Sequence, residues 1–203
     1  MSHVLARAAG GAVSLPDPAT IMIDREDGGQ LVVYPPRPVW DRTALSHGEL
    51  LDWTRLVAAT ARAMLESLPQ LAGGCLNYWD AGNWALNPAA DPPGPKTGPA
   101  HRQLHLHLCG RSRTSADASW RWGEAPTFPP FADRFAWSLG KRALTAAECR
   151  AVVDRAREVL GDVYGAGGAD GLEPGACGSC GYPTPPADLA GGRCPSCLAE
   201  GGA

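Results

Sequence analysis

A chain of 203 residues has room for one well-filled core and a small appendage. Hydrophobic residues make up 44%, charged residues 19%, and the formal net charge is −3, so no bulk positive charge is present to hold nucleic acid. No apolar run approaches the roughly 20 residues of a membrane span, and the N-terminus lacks the continuous apolar stretch of a signal peptide, so neither is expected.

In chain order, residues 1–18 read as a flexible N-terminus. Ala19–Asp24 and Gly29–Tyr34 read as two short strands around an Arg-Glu-Asp-Gly-Gly turn, and Pro35-Pro36-Arg37-Pro38 ends the second. Ser46-His47-Gly48-Glu49 has the form of a capping box. Behind it Leu50, Trp53, Val57, Ala61, Met64 and Leu68 recur at helical spacing, which predicts a helix stopped near Pro69. Gly74–Ala81 is a strand candidate, and residues 82–100, with five prolines, form a loop. The segment Ser112–Leu139 is irregular and aromatic-rich. Thr145-Ala146-Ala147-Glu148 is a second capping box, opening a helix with Cys149, Val152, Val153, Ala156, Val159 and Leu160 on its apolar face. A glycine-rich linker, 161–176, leads to the cysteine-bearing tail, 177–203.

Seven cysteines is an odd number and argues against a closed disulfide framework. Cys75, Cys109 and Cys149 stand alone among apolar residues and read as small core side chains. Cys177, Cys180, Cys194 and Cys197 form two C-x-x-C knuckles with thirteen residues between them, the spacing of a zinc ribbon. A redox C-x-x-C is the alternative, but paired motifs without strand-helix context do not favour it. Four thiolates fill a tetrahedral shell, so the expected zinc is structural. Clustered thiols of this kind point to a reducing, cytoplasmic setting.

Gln103-Leu104-His105-Leu106-His107-Leu108-Cys109-Gly110-Arg111 alternates polar and aliphatic residues with a period of two. A strand there places Leu104, Leu106 and Leu108 on one face and Gln103, His105 and His107 on the other. Two imidazoles on one strand face lie about 7 Å apart at strand rise and can engage one phosphate. One attacks phosphorus while the other donates a hydrogen bond to an oxygen. A half-exposed strand that merely carries histidines is the competing reading.

The stretch Gly29-Gln-Leu-Val-Val-Tyr-Pro-Pro-Arg-Pro-Val-Trp-Asp-Arg-Thr-Ala-Leu, followed by the capped helix, resembles the opening of the histidine-triad (HIT) nucleotide-binding fold. Gly94-Pro-Lys-Thr-Gly98 and the run Gln103-Leu-His-Leu-His-Leu are similar to that family's glycine loop and histidine strand, in the family's order. The resemblance covers about residues 19–113 and implies an α+β domain over 19–160. That domain would hold an antiparallel sheet of about five strands, a long helix and a C-terminal helix, with the zinc ribbon appended.

The resemblance implies double displacement at the α-phosphate of a nucleotide derivative, a phosphoanhydride or phosphoramidate. His105 is the nucleophile, and His107 holds a phosphate oxygen. Gln103, where the family has its first histidine, supplies a backbone carbonyl that fixes the tautomer of His105. Gln30 replaces a supporting histidine and Pro99 a loop glutamine. Asn77, Lys96 and Gly98 are candidates to orient the phosphate, Asp24 to bind ribose, and Arg111 to meet phosphate. Tyr78, Trp79 and Trp84 are candidates to stack on a base. For each a plainer role exists: strand polar group, solvated lysine, turn cap, ion pair or core.

Three functions follow from the resemblance: a nucleotide hydrolase or nucleotidyltransferase, a silent nucleotide-binding protein, and repair of adenylated nucleic acid. The last is suggested by the similar pairing of fold and zinc finger in aprataxin. Charge disfavours it. Residues 161–203 carry Asp162, Asp170, Glu173, Asp188 and Glu200 against Arg193, five acids and one base, or −4. A symmetric homodimer is expected, burying Trp53, Trp79 and Trp84.

Overall fold

The structure is a computed structural model describing residues 3–80, 86–87, 94–95, 103–130, 133–165 and 175–200. The strands, in chain order, are β1 (Val4–Ala8), β2 (Gly11–Ser14), β3 (Gln30–Tyr34), β4 (Cys75–Trp79), β5 (Leu86–Asn87), β6 (Gly94–Pro95), β7 (Leu106–Arg111), β8 (Gly175–Ala176) and β9 (Pro183–Thr184). Five of them form one antiparallel sheet in the order β1-β2-β3-β7-β4. The helices are α1 (His47–Ser67), α2 (Arg134–Ser138), α3 (Ala146–Asp162) and α4 (Pro195–Glu200). The expected α+β class with a five-stranded antiparallel sheet is therefore present.

Both capping boxes close as the sequence predicts. The Glu49 amide donates to Ser46 Oγ and the Ser46 amide to Glu49 Oε2, while Glu148 and Thr145 repeat the exchange on α3. The predicted apolar face of α3 is buried at all six positions. On α1 the predicted Trp53, Ala61, Met64 and Leu68 are buried, joined by Leu56, Ala59, Thr60 and Ala63, while Leu50 is exposed. Small residues at 59 and 63 let α1 and α3 lie close together over one face of the sheet. Leu31, Val33, Leu104 and Leu108 fill the space beneath them.

Two expectations are overturned. Within the stretch expected to be a flexible terminus, 1–18, β1 and β2 form a hairpin on the sheet, paired Ala8 to Gly11. Ala19–Asp24 is not a strand; a short 3-10 turn, Pro18–Thr20, capped by Asp17, occupies its start. The hairpin depends on glycine, because a Cβ at Gly10 would stand 2.2 Å from the Asp52 carbonyl oxygen of α1, and one at Gly11 (φ 128°) 2.0 Å from the Tyr34 carbonyl oxygen.

The tail is not a free appendage. Tyr182 packs against the main core and donates its hydroxyl to the Leu144 carbonyl at 2.9 Å. His3 Nε2 lies 3.1 Å from both the Pro183 carbonyl and Thr184 Oγ1, and Arg7 pairs with Asp188 at 3.0 Å. The cysteine module thus seats on β1. Within the predicted linker, 161–176, α3 runs to Asp162 and β8 occupies 175–176. No helix is long and apolar enough to cross a membrane among the described residues.

Candidate active site and metal centre

Directly opposed residues of an antiparallel pair share a sheet face. Val32 and Trp79 both oppose His107, Gln30 and Asn77 both oppose Cys109, and Cys75 opposes Arg111. The face away from the helices therefore carries His107, Cys109 and Arg111 on the central strand β7. His105 precedes the strand and continues the row. Trp79 and Gln30 flank it, and Asn77 lies half-buried beside Cys109.

The two histidine rings lie edge to face, 4.8 Å between centroids. Tyr34 stacks on His105 at 5.6 Å, and Trp79 lies against His107 at 5.7 Å. His105 is 8% exposed, so the face is more enclosed than a half-solvated strand. The cover is the aromatic segment read as irregular. Phe128 stacks on Trp79 at 4.8 Å and meets Trp120, which is buried against Cys109 and Ile23. Arg111 holds this cover: its guanidinium lies over the Trp120 ring and donates to the Arg121 and Glu124 carbonyls.

Hydrogen bonds assign the two rings opposite tautomers. A carbonyl only accepts, so His105 Nδ1 must carry the proton it shares with the Gln103 carbonyl at 2.8 Å, which leaves a lone pair on Nε2. For His107 the partner is Gln30. The Met22 amide donates to Gln30 Oε1 at 2.9 Å, so the other end of that amide, Nε2, donates to His107 Nδ1 at 2.8 Å. Neutral His107 consequently carries its proton on Nε2. One ring offers a lone pair and its neighbour a donor.

Burial, reinforced by the neighbouring His105, pushes the His107 pKa from 6.5 down to about 3. The unfolded chain then binds a proton below pH 6.5 that the native chain refuses, so this contribution to stability is complete above pH 6.5 and is lost as pH falls toward 3. Between pH 7.5 and 5.5 His107 is expected to cost about 1 kcal/mol of folding free energy. Urea unfolding of the wild type and His107→Asn at both pH values measures it. Equal pH slopes in the two proteins would rule it out.

The other site candidates divide. Gln103 and His105 come together as predicted. Asp24 does not join them. Burial raises its carboxyl, but the Arg142 guanidinium and the amides of Glu26 and Arg142 outweigh that and hold it below its ordinary value. Both its oxygens are engaged as a turn cap and an ion pair to Arg142 at 2.9 Å. Arg111 is on the right face but anchors backbone carbonyls. Of the tryptophans behind the dimer expectation, Trp53 is buried in the core and Trp79 is stacked on Phe128 within the chain. Tyr78 points to the opposite face of the sheet from the histidines, 55% exposed. Lys96, Gly98, Pro99 and Trp84 lie outside the described residues.

The resemblance put Gln30 in the place of a supporting histidine, and the structure makes it the ring partner of His107 across the β3–β7 pair. One feature escaped the sequence reading. A cavity of about 300 Å³ opens beside Tyr34 and Gln103, which both touch His105. Ala12, Pro36 and Arg7 help to line it, as does Ser14, whose fully buried Oγ has no hydrogen-bond partner among the described residues.

In the tail, the sulfurs of Cys177, Cys180, Cys194 and Cys197 all lie within 4.8 Å of one another, and none is in a disulfide. Ligands about 2.3 Å from a tetrahedral metal stand about 3.8 Å apart, and Cys180 and Cys194 Sγ are 3.8 Å apart. The Cys194 amide donates to Cys177 Sγ and pushes that thiol down to about 5. The donor set fits a metal ion that prefers four thiolates. No family model, no curated protein and no solved structure matches this chain.

Proposed function

We propose that the chain is a nucleotide hydrolase or nucleotidyltransferase of the histidine-triad kind, acting at the α-phosphate through a covalent nucleotidyl-His105. The observation that carries this reading is the complementary tautomer pair: a lone pair on one ring beside an N–H donor on the next. A core strand needs no such arrangement, whereas in-line displacement at phosphorus needs both.

In the first step His105 Nε2 forms a bond to phosphorus as the bond to the leaving group breaks, and the electron pair departs with that group. The Gln103 carbonyl holds the Nδ1 proton and stabilises the positive charge on the ring. His107 Nε2–H donates to a phosphate oxygen and is stronger in the transition state, where that oxygen gains charge. Water or another acceptor then forms the new bond to phosphorus as the P–N bond breaks. The pair returns to Nε2, and the acceptor's proton leaves through the product to solvent. The cavity beside Tyr34 takes the nucleoside, with Ser14 Oγ as a polar contact inside it.

Zinc is the metal this reading assigns to the four cysteines, in a structural role, since four sulfurs leave no position for substrate. Incubating the full chain with nucleoside polyphosphates and adenylate conjugates is expected to release a mononucleotide. Binding without release would make the protein a silent nucleotide binder and sink the hydrolase reading.

A further inference from the structure

Gln30 carries a consequence for the leaving group. It is 2% exposed, and its amide is held at both ends, the oxygen by the Met22 amide and the nitrogen by His107 Nδ1. For His107 to become an imidazolium, Nδ1 must take a proton and turn it toward an N–H donor. That demands either two donors face to face or a flipped amide that abandons the Met22 N–H in a buried place. A residue able to pass protons at position 30 would let Nε2 release its proton as Nδ1 received another. An amide cannot.

We infer that Gln30 is a positioning residue that locks His107 as a permanently neutral Nε2–H donor, and that the site therefore acts on nucleoside phosphoanhydrides rather than phosphoramidates. The inference rests on the hydrolase reading above. An anhydride expels a phosphate that is stable as an anion: the P–O bond breaks, the electron pair leaves with oxygen, and no proton is required. A phosphoramidate must receive a proton on nitrogen as the P–N bond breaks, because an amide anion is far too basic to leave.

The other groups facing His107 do not replace the missing acid. His105 is the nucleophile and its Nδ1 proton is held on the Gln103 carbonyl. Trp79 presents its ring face. The Cys109 thiol, two residues on, is pushed up to about 12 by burial and holds its proton too tightly to give it up at neutral pH. The Arg111 guanidinium turns Nη2 to the Arg121 and Glu124 carbonyls and is far too weak an acid to give up a proton at neutral pH. The depressed pKa of His107, about 3, agrees with the lock.

The test uses the full-length protein and two readouts. Nitrogen-15 NMR of the imidazoles, assigned with His105→Asn and His107→Asn, is expected to show Nδ1–H on His105. His107 should show Nε2–H with a bare Nδ1, unchanged from pH 8 to pH 5. Turnover of a dinucleoside polyphosphate should exceed that of a nucleoside 5′-phosphoramidate at least 100-fold, and Gln30→His should narrow that gap at least tenfold. A proton on His107 Nδ1, or its titration near pH 6, overturns the lock. Comparable turnover of the two substrates overturns the assignment of substrate class. Absence of turnover on both, with the tautomers as stated, strikes the hydrolase reading and the substrate class with it, while the lock itself stands measured.

Discussion

His105→Ala is expected to lower turnover of the preferred nucleotide by at least 10³-fold, since it removes the nucleophile rather than a contact that assists it. Its folding cost should be small. The ring packs on Tyr34 and the edge of His107 but lies on the sheet face opposite the main core, and its polar partner among the described residues is the backbone carbonyl of exposed Gln103. A loss of about 1–2 kcal/mol is the scale for such a truncation. Rates of mononucleotide release, read beside thermal unfolding, separate the two effects. A well-folded variant keeping more than a few per cent of activity removes His105 from the role. So does a phosphorus–nitrogen adduct trapped on any other residue. His107→Asn should retain more activity than His105→Ala, because a donor to a phosphate oxygen contributes less than the atom that attacks.

The second large effect is expected at the metal. Purified protein should carry about one zinc per chain, and Cys194→Ser should abolish it. Zinc-finger peptides gain about 10–16 kcal/mol of apparent free energy from the ion, so the module should unfold without it. The loss should spread beyond the tail, because His3, Arg7 and Leu144 each bond a residue of the module. Elemental analysis and hydrogen exchange at β1 measure both consequences. Iron, or no metal, in the native protein would refute the zinc assignment. Undisturbed exchange at Val4–Ala8 in Cys194→Ser would refute the mechanical link to the sheet.

The helices were legible because their signals are local. Each capping box lies within four residues, and the α3 stripe is a periodicity that any buried helix must show. The β1–β2 hairpin was not legible. Alanine, glycine and arginine are poor strand formers, and the need for glycine at position 10 comes from the close approach of an α1 carbonyl some forty positions away. The same division runs through the site. Alternation placed His105 and His107 on one face, and the Gln103 carbonyl is only two residues from the ring it serves. Gln30 and Arg111 take their roles from strand register and from a distant turn, neither of which a period of two contains. Asp24 is the reverse case: its cap on the following turn was visible locally, and that plainer role is the one the structure gives it.

The seating of the cysteine module on β1 also bears on how the chain is made. His3 and Arg7 meet partners that follow them by 181 positions, Thr184 and Asp188. Translation proceeds at about 5–20 residues per second, so the first strand waits on the order of ten seconds for the segment that will cover it. During that interval its outer backbone groups are free to pair with any nascent chain nearby. Slow synthesis or a shortage of zinc lengthens the exposure. Yield of soluble protein should therefore follow metal supply during expression more steeply than the stability of the finished protein does.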